Sequence, residues 1–233
     1  MLRAVNRTDP ERPLYFQIGY RKCGTTALAH FFERNGIPAV HWDKGRLARR
    51  MRDNLAAGRP VLEGYDDAFD AFTDMECNGP DDWFEGFRCF PEMLRDYPGA
   101  RFVLNTRDEA AWLRSMRIWA RRQRRMDYVR ARYGSTDLDA FAAALARERA
   151  EHHRAVRAAV PPERLLVFDI ERDPPERLAR FCGLPPPAGA RFTRENATRS
   201  AAVHWLARTS RRAARRARRL AAAASRPLRD MLS

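Results

Sequence analysis

The chain has 233 residues, 45% of them hydrophobic and 32% charged, with a formal net charge of +14. That length and apolar content suit one sizeable α/β domain with an appendage, and they exclude a disordered composition. No run approaches the roughly 20 apolar residues of a membrane span and no N-terminal apolar stretch resembles a signal peptide, so a cytoplasmic location is the expectation.

The first dozen residues are polar. Leu14 to Ile18 (LYFQI) predicts a buried strand ended by Gly19. A helix is predicted from Thr25 to Asn35, with Gly36 as its stop. Ile37 to Trp42 predicts a second short strand, Gly45 to Ala57 an amphipathic helix closed by Gly58, and Pro60 to Glu63 a short strand before an acidic turn at Asp66 and Asp67. Residues 77–86 read as a loop with Asn78, Gly79 and Pro80 as breakers. Phe87 to Tyr97 predicts a helix and Phe102 to Asn105 the next strand. Helical pattern runs from about Glu109 to Tyr133 and from about Leu138 to Ala159; His152 and His153 fall in its charged stretch and are expected at the surface. Leu165 to Phe168 predicts a last strand, Pro174 to Cys182 a short helix, and Ala201 to Ala224 an Arg/Ala helix.

Strands alternating with helices predict a three-layer α/β fold of P-loop type, its central parallel sheet flanked by helices, plus an Arg-rich C-terminal helix. Residues 1–200 would form the domain and 201–233 a basic helical tail. Ligands in such folds sit at the carboxyl ends of the strands.

Charge is unevenly placed. Residues 201–233 hold nine Arg and one Asp, leaving +6 on the rest. Excess positive charge favours anionic partners. Only Lys22 and Lys44 are lysine among 44 basic residues. Lys22 lies in a glycine-bounded loop, where a compact ammonium fits and a planar guanidinium does not. Cys23, Cys77, Cys89 and Cys182 show neither CxxC nor zinc-like spacing and read as free thiols in a reducing compartment.

The segment GYRKCGTT, Gly19 to Thr26, lies between a predicted strand and a predicted helix. Glycines permit a tight turn, inward N–H groups and the helix N-terminus attract an anion, and Thr25 and Thr26 add hydroxyls. The ATP-binding pattern GxxxxGK[ST] needs a lysine after the second glycine, whereas here the lysine is inside the loop. Farther on, Arg107 follows a predicted strand end and Ser115 comes eight residues later, on the helix that begins there. A guanidinium forks onto phosphate, and the hydroxyl two turns along adds a donor.

Together these segments resemble sulfotransferases that use 3′-phosphoadenosine 5′-phosphosulfate (PAPS), in the shorter bacterial and fungal branch. The family loop K-[ST]-G-T-T matches Lys22 to Thr26, with Cys23 in place of Ser or Thr. The stretch from Tyr97 to Arg107, the segment from Leu165 to Leu184 and a covering loop at Phe192 to Thr198 extend the likeness over residues 14–200. The resemblance implies that Arg21, Lys22, Cys23, Gly24, Thr25 and Thr26 hold the 5′-phosphosulfate, and that Arg107 and Ser115 hold the 3′-phosphate. It implies a hydroxyl or amine acceptor, on a small molecule or glycan that can itself be anionic, and in-line displacement without a metal.

The acceptor must lose a proton, and three residues are candidates for the base. His41 ends a predicted strand, Asp74 lies in the acidic segment FDAFTDM, and Glu63 ends another predicted strand. Arg114, Arg117, Arg121 and Arg124 share one helix face opposite Trp112, Met116 and Trp119, which suits a solvated face or an anionic acceptor or donor surface. The tail, with Trp205 as its one aromatic, gives no firm sign of nucleic-acid binding and has no strong apolar face, but it could meet an anionic surface. A nucleotide kinase or NTPase, with Asp169 as its magnesium-side acid, and a non-catalytic anion-binding protein working through the tail are the alternatives.

Overall fold

The structure is a computed structural model in which residues 13–185 are described. The expected loop at 192–198 and tail helix at 201–224 lie outside the described residues. The elements run β1 (Tyr15–Gln17), α1 (Thr25–Arg34), β2 (Ala39–His41), α2 (Arg46–Ala56), β3 (Ala71–Thr73), β4 (Glu76–Asn78), β5 (Trp83–Glu85), α3 (Phe90–Asp96), β6 (Arg101–Thr106), α4 (Glu109–Ala120), α5 (Gln123–Tyr133), α6 (Leu138–Ala159), β7 (Leu165–Asp169) and α7 (Pro175–Phe181).

Five strands form one parallel sheet in the order β2-β3-β1-β6-β7. The strands are apolar on both sides because both faces are covered. Side chains alternate between two cores. Phe16, Phe72, Phe102 and Leu104 pack with α2 to α6, whereas Tyr15, Ala71, Val103, Leu166 and Phe168 pack with α1 and α7. This is the expected three-layer arrangement, with β1 at its centre.

Four local readings are corrected. Pro60 to Glu63 is not a strand but a run of turns, with Glu63 N–H bonded to the Pro60 carbonyl at 3.0 Å and Tyr65 N–H to the Leu62 carbonyl at 2.8 Å. Val61 and Leu62 are fully buried, yet their N–H groups go to the Asp96 carboxylate (2.9 Å) and the Tyr97 hydroxyl (3.2 Å) rather than to a ladder. The strand in this region is β3, set between Asp70 and Asp74. Residues 77–86 hold most of a hairpin, in which β4 pairs antiparallel with β5 and the breakers Asn78, Gly79 and Pro80 supply the turn. The helical stretch 109–133 breaks at Arg122, whose backbone is extended (φ −78°, ψ 133°). His152 is buried at 4% exposure, its Nε2 2.7 Å from the Ile18 carbonyl and its ring edge-on to Tyr20, Phe87 and Phe90. Charged neighbours masked the apolar face of α6 on which it lies.

Candidate active site

The turn after β1 is folded by two buried amides. Asn105, near the end of β6, accepts from the Gly19 N–H (2.9 Å) and from Gln17 Nε2 (2.6 Å) through one oxygen, and donates to the Cys23 carbonyl (2.9 Å). Gln17 Nε2 also reaches the Gly19 carbonyl at 2.5 Å, and Gln17 Oε1 accepts from the Asp74 N–H at 2.9 Å. These bonds explain Gly19: a Cβ there would lie 2.1 Å from the Asn105 carbonyl oxygen. Gly24 turns at φ 81°, and a Cβ on it would meet Ile170 at 2.4 Å. Lys22 itself adopts φ 65°. A non-glycine residue in the left-handed region is uncommon and is found where surrounding bonds hold it.

Burial lowers the Lys22 ammonium from its ordinary range, with Arg122, Arg107 and Arg125 adding to the effect and Asp74 opposing it. Arg107 donates from Nη1 to the Lys22 carbonyl at 3.2 Å and pairs through Nη2 with Glu171, while its Nε is buried with no acceptor. The loop and the strand-end guanidinium therefore meet. Ser115 is buried on α4, one turn beyond Trp112, whose Nε1 donates to the Arg21 carbonyl at 3.0 Å. Arg21 turns its guanidinium into a buried pair with Glu76, with Glu85 at 3.9 Å, so its side chain is engaged inside the protein. Burial is the largest influence and opposes the Arg21 charge, but Glu76, Tyr128, Glu85 and Asp74 together outweigh it and raise the group. Cys23 is fully buried and its thiol is pushed up to about 12 by burial, which makes it a packing group with an available backbone. Thr25 is buried, and Thr26 reaches toward β2.

On the other side of β1, the ends of β2 and β3 bring two of the candidate bases together. His41 Nε2 lies 3.3 Å from Thr26 Oγ1 and 3.8 Å from Asp74 Oδ2, and its Nδ1 lies 2.9 Å from Thr73 Oγ1. The Thr73 hydroxyl donates its one hydrogen to the Val40 carbonyl (3.2 Å), so it accepts from Nδ1–H and leaves Nε2 with the lone pair. Burial lowers His41 below the usual imidazole range, against the pull of Asp74. Asp74 sits at φ 53°. Glu63 is not at a strand end; its side chain is half exposed and lies 3.5 Å from Arg59 on the same turn.

Several residues of this site carry no sequence motif. Gln17 and Asn105 read only as strand residues. Arg149, on α6, bonds Thr106 Oγ1 (2.5 Å) and the Arg107 carbonyl (2.8 Å) and lies over Trp112 at 4.7 Å. On the basic α4 face, Arg117 pairs with Asp139 at 2.8 Å and Arg114 is exposed. Asp169, the acid ending β7, spends Oδ1 on the Glu171 (2.9 Å) and Arg172 (3.2 Å) N–H groups of its own turn. Among the described residues no group of three or more His, Cys, Asp or Glu side chains could hold a metal, and no helix is long and apolar enough to cross a membrane.

A family model described as a sulfotransferase domain matches residues 16–130 and 119–201, most of the chain. No curated protein matches it significantly.

Proposed function

The chain belongs to the sulfotransferase domain family, and from that premise we propose that it transfers a sulfonyl group from PAPS to a hydroxyl or amine acceptor. The observation that carries the reading is the meeting of four strand ends: the Lys22 loop after β1, Arg107 after β6 on one side, and His41 with Asp74 at the ends of β2 and β3 on the other.

The residues suit an adenosine donor with an anionic group at each of two ends. Gly19 and Gly24 leave backbone where a side chain would collide, Arg107 keeps a buried N–H without an acceptor, and Lys22 puts a partly buried amine in the same loop. The loop amides, Lys22 and Thr25 would hold the 5′-phosphosulfate, and Arg107 with Ser115 the 3′-phosphate. When bound, the donor supplies an electrophilic sulfur and a phosphate leaving group. Lys22 would neutralise the charge growing on the oxygen that keeps the electron pair as the S–O bond breaks. His41 would take the acceptor proton on Nε2 as the new bond to sulfur forms, and Asp74 would stabilise the resulting imidazolium. Little covalent work falls to the protein, by analogy with phosphoryl transfer.

Equilibrium binding and a labelled-sulfonate transfer assay test this reading. The expected result is metal-independent binding of 3′,5′-adenosine bisphosphate, weak binding of ATP with magnesium, and transfer lowered about 10³-fold by Lys22→Ala with the fold intact. Tighter binding of magnesium ATP than of the bisphosphate, or full activity in Lys22→Ala, would overturn it.

A further inference from the structure

Arginines that line the interior of this protein are matched with acids: Arg21 with Glu76, Arg88 and Arg132 with Glu85 and Glu148, Arg107 with Glu171. Arg125 is different. It is partly buried, and no ion pair to it, to Arg122 or to Lys22 is formed among the described residues. Its guanidinium carbon lies 4.8 Å from the centre of the Trp119 ring, the same ring that Arg21 contacts at 4.6 Å. Trp119 thus holds Arg125 beside the base of the Lys22 loop. Arg122 stands at the extended break between α4 and α5, one helical turn before Arg125.

The position of this pair separates it from the Arg107 anchor. Arg107 follows β6 on the β7 side of the loop, whereas Asp74 follows β3 on the opposite side of β1. Arg125 lies within electrostatic reach of Asp74 and Glu76 on that second side, and Lys22 feels both Arg122 and Arg125. Burial lowers the Arg125 guanidinium, with Arg21 and Arg122 adding to the effect. Exposed Arg122 and partly buried Arg125, neither held in an ion pair among the described residues, stand on the Asp74 side of the loop and are arranged for an anion brought by the ligand.

We propose that Arg122 and Arg125 bind an anionic group on the acceptor, so that the molecule receiving the sulfonyl group already carries a carboxylate, sulfate or phosphate. The proposal deepens the sulfonyl-transfer reading and rests on it. Arg125 and Arg122 would fork onto that group while the hydroxyl or amine faces His41 and Lys22.

Titration calorimetry on the full chain and on the R122A/R125A double variant tests it, with PAPS, the bisphosphate and phenyl phosphate as probes and benzyl alcohol as the neutral control. The expected result is that PAPS and the bisphosphate bind both proteins to within about twofold. Phenyl phosphate, added to the bisphosphate complex, binds the wild type and loses about tenfold or more in the double variant. Benzyl alcohol does not distinguish the two. A matching loss of PAPS affinity would assign the arginines to the donor and overturn the proposal. Equal binding of phenyl phosphate to both proteins, or none to the wild type, overturns it as well. If circular dichroism finds the alanine variant unfolded, R122Q/R125Q, which keeps the stem of residue 125 against Trp119, gives the same comparison. A wild type that binds neither PAPS nor the bisphosphate would remove the sulfonyl-transfer reading itself, and this proposal with it.

Discussion

Asn105 serves the turn after β1 with both ends of its amide, and each bond it makes is buried. Asn105→Ala would leave the Gly19 N–H and the Cys23 carbonyl short of partners at a cost of about 2–3 kcal/mol. Urea unfolding should register the loss, and bisphosphate affinity should fall with it because the turn carries Lys22. Glu171 acts in the opposite sense. It occupies the Arg107 guanidinium that the phosphate reading needs, so Glu171→Gln should tighten bisphosphate binding by about two- to tenfold. Unchanged or weaker binding would mean that Arg107 does not leave Glu171 for the nucleotide. His41 makes a pH prediction. Its folded pKa is depressed, chiefly by burial and against Asp74, so the base form persists below the usual imidazole range. Transfer should be constant above that range and fall as the pH drops through the depressed value. Asp74→Asn removes the raising influence, so the acid limb should move to still lower pH with a reduced but measurable rate. Complete loss of activity in that variant would instead make Asp74 the base.

At the scale of elements, α6 is a brace rather than a surface helix. Arg149 bonds the end of β6 and His152 the end of β1, so one helix fixes the two strands that carry Arg107 and the Lys22 loop. Burial pulls His152 down to about 4. An unfolded histidine titrates near 6.5, so the unfolded chain binds the proton first as the pH falls. The stability from neutral His152 is complete above about 6.5 and is lost between there and about 4, by about 2 kcal/mol from pH 7 to pH 5. Urea midpoints at those two pH values should differ less in His152→Asn than in the wild type. The break at Arg122 is the second element-scale feature. It swings α5 so that Tyr128 meets Trp119 edge-on at 5.9 Å and Arg125 covers the same indole. A continuous helix would separate them.

Across the whole molecule, strand order decides what the site can be. With β1 central, the turn after it is flanked by the ends of β3 and β6, and the chemistry-bearing residues come from segments far apart in the chain. The family match ends at residue 201, so a chain truncated there should keep bisphosphate binding within about threefold by calorimetry. Loss of that binding would support the tail-centred alternative.

Local chemistry alone determined a good deal. The glycine-bounded loop with its internal lysine, the Arg107 and Ser115 spacing and the alternation of strands and helices were legible because turn geometry and apolar periodicity act over a few residues. The tertiary structure decided the rest. It turned Val61 and Leu62 into a buried turn, since side chains from α3 and its end satisfied their backbone. It made β3 from three residues between two aspartates, because neighbours on both sides completed the ladder. It chose His41 and Asp74 over Glu63 as residues beside the loop, and it stacked Arg125 on the indole that Arg21 also contacts. Packing of distant segments sets these outcomes, and no window of sequence contains them.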